Sequence, residues 1–109
     1  MYLLHTGQFT AARAAANAAY ASLTRAFGAD HWRAAWASAL EGAALAALGR
    51  YPQAEPLLVA AYGVLRRNPR MNASQLGSTL QFLVQLYVDW RRPEEVARYR
   101  ALRTAAVLH

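Results

Sequence analysis

The sequence contains no cysteine and no lysine. Without cysteine, disulfide bonds and thiolate metal sites are excluded, although no redox compartment follows from that. Without lysine, arginine carries all the fixed positive charge, giving a formal net charge of +6. Glycine and proline are sparse, at six and four residues, and charged residues make up only 17% of the chain. An arginine-only, alanine-rich composition is also what a GC-rich genome yields, so it is no functional signal by itself. The opening stretch "MYLLHTG" lacks a basic leader and a long enough apolar run for a signal peptide. The longest uncharged stretch, from Met71 to Val88, is broken by Asn72, Ser74, Gln75, Gln81 and Gln85, which makes it a poor membrane helix. These absences lead to the expectation of a soluble, cytoplasmic chain with no membrane partner.

What is present is apolar and small. Of 109 residues, 56% are hydrophobic, swollen by alanine. That length suits one domain, and that composition suits closely packed helices rather than disorder. The stretch "LGRYPQAEPLLVAAY", Leu48 to Tyr62, has echoes on both sides. Gly7-Gln8-Phe9, Gly49-Arg50-Tyr51 and Arg91-Arg92-Pro93 each precede an alanine-containing run, at a spacing of 42 (49 − 7 and 91 − 49). In that register Ala12 matches Ala54, Ala19 matches Ala61, Tyr20 matches Tyr62 and Leu23 matches Leu65. Leu45 likewise matches Tyr87, and Leu48 matches Trp90. A fixed period of this length is the mark of stacked helical units.

Apolar periodicity predicts helices near 10–26, 31–48, 52–67, 73–90 and 93–107, and no stretch reads as a strand. The breaks have chemical causes. Gly28 and an Asp30 cap separate the first two helices, and Gly49 ends the second in the left-handed region. Pro69 interrupts "RRNPR", and Asn72 with Gln75 has capping-box spacing. Pro93 suits a first helical turn, whereas Pro56 lies just past one and is expected to loosen the start of its helix. The expected architecture is all-α: one unpaired helix, then two helix–turn–helix pairs. Ala54 and Ala61, two turns apart, let a partner helix approach, with Leu57, Leu58 and Leu65 beside them. Gly42 and Leu45 supply the complementary small and large residues, and Tyr51 is expected to fold back over the pair.

These residues resemble the tetratricopeptide repeat, in the 42-residue form seen in kinesin light chains and many bacterial regulators. The family's small, large and aromatic positions correspond to Gly42, Leu45, Gly49, Tyr51, Ala54, Leu58 and Ala61. In the next unit they fall on Leu83, Val84, Tyr87, Pro93 and Val96. The segment from about His31 to Ala105 also resembles the C-terminal tails of some bacterial serine/threonine protein kinases, through "ALGRYPQAEPLL" and "WRRPEEVARYRAL". The resemblance implies a right-handed α-solenoid of about two and a half repeats: an incomplete one over 1–28, a second over 29–70 and a capping one over 71–109. It implies a non-enzymatic protein-binding or scaffold module, or alternatively the regulatory tail of a signalling enzyme. Glu41 departs from the pattern by standing where a large apolar residue is usual; either it turns outward or its helix pair packs less well. Arg91 replaces Gly49, and Arg100 and Arg103 replace Leu58 and Ala61, as a polar cap of a solenoid requires. "MYLLHTG" matches the end of a first helix, so the chain is expected to be the C-terminal part of a longer array. Its first helix would then lack a full partner and could self-associate.

No constellation for catalysis is present. His5, His31 and His109 lack the i,i+3 or i,i+4 partners of a helical metal site, and no cofactor or enzyme activity is expected. Glu94 and Glu95 suit a first helical turn, where negative charge favours the dipole. There is no phosphate-binding glycine loop and no kinase motif. Arg91, Arg92, Arg98, Arg100 and Arg103 form a basic patch with Trp90 and Tyr99 among them. A solvated capping surface is the first reading of that patch, and nucleic-acid stacking the second. The other candidate is a peptide groove on the first helices of successive pairs: Trp36, Ala39, Ala43, Ser78, Gln81, Gln85 and Asp89, expected to point away from the core. For Trp36, exposure in the groove and packing on the preceding helix both stay open. The expected partner is a protein or peptide, acidic by charge complementarity.

Overall fold

A computed structural model of the chain describes the backbone of residues 2–28 and 30–108, and the side chains of 8–28 and 30–105. The described residues form five helices and no strand: α1 (Tyr2–Phe27), α2 (Trp32–Ala47), α3 (Tyr51–Leu65), α4 (Ala73–Asp89) and α5 (Pro93–Leu108). The last four keep the predicted bounds to within two residues. The first does not. The expected turn at Gly7-Gln8-Phe9 is absent, and α1 runs unbroken through it. A glycine inside a helix costs only about 1 kcal/mol, and the alanine run beyond Gly7 propagates readily. Gly49, by contrast, is followed by Pro52 at the start of the next helix, which helps hold the fold-back in place.

The chain measures 39 × 37 × 21 Å, and the shortest dimension is about two helix diameters. Consecutive helices pack against one another, and α2 also meets α4. Among the described residues, helix α1 touches α2 alone. The main core lies where α2, α3 and α4 meet, with Leu58, Leu65, Leu80, Leu83 and Leu86 fully buried. Each such leucine is worth roughly 1.5–3 kcal/mol of removed apolar surface. Gly42 is needed at the α2–α3 crossing: a Cβ there would stand 2.7 Å from Leu58 Cγ and 3.2 Å from the Ala54 carbonyl oxygen. Nearby, Ser38 Oγ donates to the Leu57 carbonyl at 3.1 Å.

The two turns that close α2 and α4 are built alike. Arg50 N–H donates to the Leu45 carbonyl at 2.9 Å, and Gly49 N–H to the Ala46 carbonyl at 3.0 Å. One period later Arg92 N–H donates to the Tyr87 carbonyl at 2.8 Å, and Arg91 N–H to Val88 at 3.2 Å. Both are Schellman closures around a left-handed residue, Gly49 at φ +80° and Arg91 at φ +59°. Arg91 therefore adopts the conformation that its β-carbon disfavours, held there by the same bonds. The next links match too, Ala54 N–H to Arg50 and Val96 N–H to Arg92.

Several local expectations change. The N-cap of α2 is His31 rather than Asp30: its Nδ1 accepts from Arg33 N–H at 3.1 Å, and its ring stacks on Phe27. Asp30 instead lies 3.8 Å from Arg67 across open solvent, a pair worth little. Asn72 forms no side-chain cap on α4; its Nδ2 donates back to the Leu65 carbonyl at 3.4 Å, near the end of α3. Pro56 sits exposed inside α3, which begins at Tyr51 without delay. Tyr51 folds toward the following unit, its ring 6.0 Å from that of Trp90. Glu41 does not turn outward. It is 5% exposed, accepts from Asn17 Nδ2 at 3.1 Å, and has Arg13 Nε at 3.8 Å. A buried carboxylate stays tolerable only with such partners.

Candidate functional site

The sequence-derived groove residues divide three ways. Ser78, Gln81, Gln85 and Asp89 share one stripe of α4, with Ser78 half-buried and the rest exposed. Gln85 Nε2 donates to Asp89 Oδ1 at 2.9 Å, pinning both side chains along the helix. Trp36 is half-buried against the core and stacks on Phe82, with ring centres 6.2 Å apart. It therefore packs forward onto α4, which neither sequence reading anticipated. Ala39 does not point outward. It is 0% exposed and belongs to the core, because helix packing demands a small side chain there. Ala43 is half-buried and lines a cleft on the other side of α2.

That cleft, about 520 Å³, lies between α1 and α2 and is lined by Phe9, Ala12, Ala15, Ala16, Leu40, Ala43 and Ala44. Its walls are almost wholly apolar. Shifted forward by one period, Ala12, Ala15, Ala16 and Leu40 become Ala54, Leu57, Leu58 and Phe82. Those are residues on which α2 itself rests, through Gly42, Ser38 and Trp36. The cleft thus reproduces the seat of α2 with alanines in place of two leucines. Leu40, 39% exposed, and Phe9, 36% exposed, are the large apolar side chains open to solvent there.

A second open cleft, about 580 Å³, lies where α4 turns into α5. Tyr87, Val88, Pro93, Val96 and Ala97 form its apolar floor, and Arg91, Arg92 and Arg100 its rim. Clefts of this size accept several side chains at once. The sequence-derived basic patch is only partly assembled here: Arg98 lies with its guanidinium 5.4 Å from the centre of the Tyr99 ring, and Arg103 is half-buried outside the cleft. Arg92 rests on Trp90, with guanidinium carbon and ring centre 4.3 Å apart. Tyr99 is unavailable for base stacking, being 5% exposed and packed against Tyr87 and Tyr62. Trp90 is half-buried beside Tyr51 and Tyr87.

The repeat-pattern residues Leu45, Ala54, Leu58, Ala61, Leu83, Val84 and Tyr87 are all buried. Between the helix pairs, Tyr87 OH donates to Glu55 Oε2 at 2.7 Å. Burial and that bond push the Tyr87 ionisation well above its ordinary value. Among the described residues no three metal-ligating side chains cluster, and no helix is long and apolar enough to cross a membrane. His5 and His109 lie outside the described side chains. No family model, curated protein or solved structure matches the chain.

Proposed function

We propose that the chain is a non-enzymatic interaction module of tetratricopeptide type, an α-solenoid whose α2 and α4 share a peptide-binding face. The observation that carries this reading is the turn after α4, which repeats the Schellman bonds and the left-handed residue of the turn after α2 at the same 42-residue spacing. Two such turns support reading α2 and α4 as equivalent helices, and equivalent helices side by side would make a rigid face. On it, Gln81 and Gln85 offer amide donors and acceptors beside the Trp36–Phe82 stack. An extended peptide has unpaired backbone groups that such amides satisfy, and aromatic edges that such a stack accepts. The apolar α1–α2 cleft agrees with the same reading, as the place a preceding helix of a longer array would fill.

The test is to pan a random peptide display library against the immobilised chain and to measure enriched peptides by calorimetry. The double change Gln81→Ala, Gln85→Ala is expected to weaken them about tenfold, and Arg98→Ala to leave them unchanged. Enriched peptides indifferent to Gln81, Gln85 and Trp36 alike would remove the α2–α4 face from consideration.

A further inference from the structure

The α4–α5 cleft is a second surface, separate from the α2–α4 face. Its position follows from the register. Shifted back by one period, Pro93 and Ala97 become Tyr51 and Glu55, the residues of α3 that receive Trp90 and Tyr87 of α4. By register the cleft is therefore the counterpart of the seat in which α4 lies, a seat that holds a helix. The chemistry of its rim has changed. The positions one period before the rim arginines Arg91 and Arg100 are Gly49 and Leu58, so charge stands here where the earlier unit has none. Among the described residues the ion pairs are Arg13–Glu41 and Asp30–Arg67, so none of the rim arginines is neutralised within the chain. Glu94 and Glu95, on the first turn of α5, do not line the cleft. In the occupied seat the acid belongs to the receiving helix and the donor to the arriving one, as Glu55 and Tyr87 show. In the open seat the donors are on the receiving side.

The geometry points to an acidic amphipathic α-helix of a partner protein as the occupant: an apolar stripe on Val88 and Val96, with carboxylates meeting Arg91 and Arg100. Guanidinium groups pair with carboxylates through two parallel hydrogen bonds, which fixes the angle of the arriving helix as well as attracting it. A nucleic acid would meet the same charge, yet the exposed part of the floor is aliphatic, and both Tyr87 and Tyr99 are buried, so neither offers a platform for stacking.

The probe is a stapled helical peptide with a leucine stripe flanked by glutamates, titrated onto the full chain by fluorescence anisotropy at several salt concentrations. Binding is expected, weakened about tenfold by the double change Arg91→Ala, Arg100→Ala and unchanged by Arg98→Ala. The glutamine version of the peptide is expected to lose a similar factor. A charge swap separates recognition from folding: Arg100→Glu should reject the glutamate peptide and gain a lysine-bearing one. Gln81→Ala with Gln85→Ala should leave this probe untouched, so the two surfaces fail or stand independently. No binding of the glutamate peptide, or binding indifferent to Arg91 and Arg100, overturns the proposal. So does a single-stranded oligonucleotide that binds more tightly than the peptide through the same arginines.

Discussion

The pairs α2–α3 and α4–α5 share a backbone plan and differ in what their second helices bury. In the first pair, Ala54, Leu58 and Ala61 of α3 are sealed in the core. In the second, their counterparts are Val96, Arg100 and Arg103, half-buried or exposed. The turns nonetheless share their Schellman bonds, even where arginine takes the place of glycine. The two pairs thus share the turn and a buried first helix, while the burial of the second helix differs with what packs against it.

The largest expected break in that comparison is at the equivalent positions 58 and 100. Leu58→Ala should cost about 3 kcal/mol in chemical denaturation, since it empties a fully buried site pressed against Gly42. Arg100→Ala should stay within about 0.5 kcal/mol of the parent. Equal losses at both positions would mean that the second helix of each pair is buried alike, against the distinction drawn here.

A smaller effect tests the joint between the pairs. Tyr87→Phe removes the hydrogen bond to Glu55 and should cost about 1–1.5 kcal/mol at neutral pH. The pH dependence has a definite sign. The folded state holds the Tyr87 proton beyond the ordinary tyrosine value of 10.0, so an unfolded chain releases it first. The stability from this group is complete below that value and declines as pH rises above it. Melting curves through this alkaline range should therefore show the parent falling faster than Tyr87→Phe, and parallel curves would refute the assignment.

The smallest effects are at the turns. Gly49→Ala should destabilise by about 1 kcal/mol, while Arg91→Gly should be neutral or stabilise by up to about 1 kcal/mol. Opposite signs at positions one period apart would sharpen the comparison. A loss at both would show that the Arg91 side chain contributes more than its backbone costs.

Much of the helical layout was legible because its causes are local. Gly49, Pro93 and the apolar spacing act within a few residues, and the bounds of α2 to α5 follow from them. The 42-residue period was equally legible, though it misled at Gly7, where the glycine is followed by an alanine run and by no proline like Pro52. Caps and orientations were harder. Asp30, His31 and Asn72 all have capping chemistry, and the choice among them depends on where Phe27 and Leu65 end up in space. Ala39 and Ala43 differ by one helical turn, yet one is core and the other lines a cleft. An alanine carries no signal of its own to separate those fates. The α4–α5 cleft was visible only as a basic patch, because nothing in the spacing of Arg98 and Arg103 tells them from Arg91 and Arg100.

The His31 cap carries a consequence for proton chemistry. Its Nδ1 lone pair is spent on the Arg33 amide, so the neutral ring keeps its hydrogen on Nε2 and only one tautomer supports the start of α2. Arg33 in turn lies over both Phe27 and Trp32, so the cap and the rings around it share one corner of the chain. The nitrogen chemical shifts of one imidazole thus report whether the start of α2 is capped.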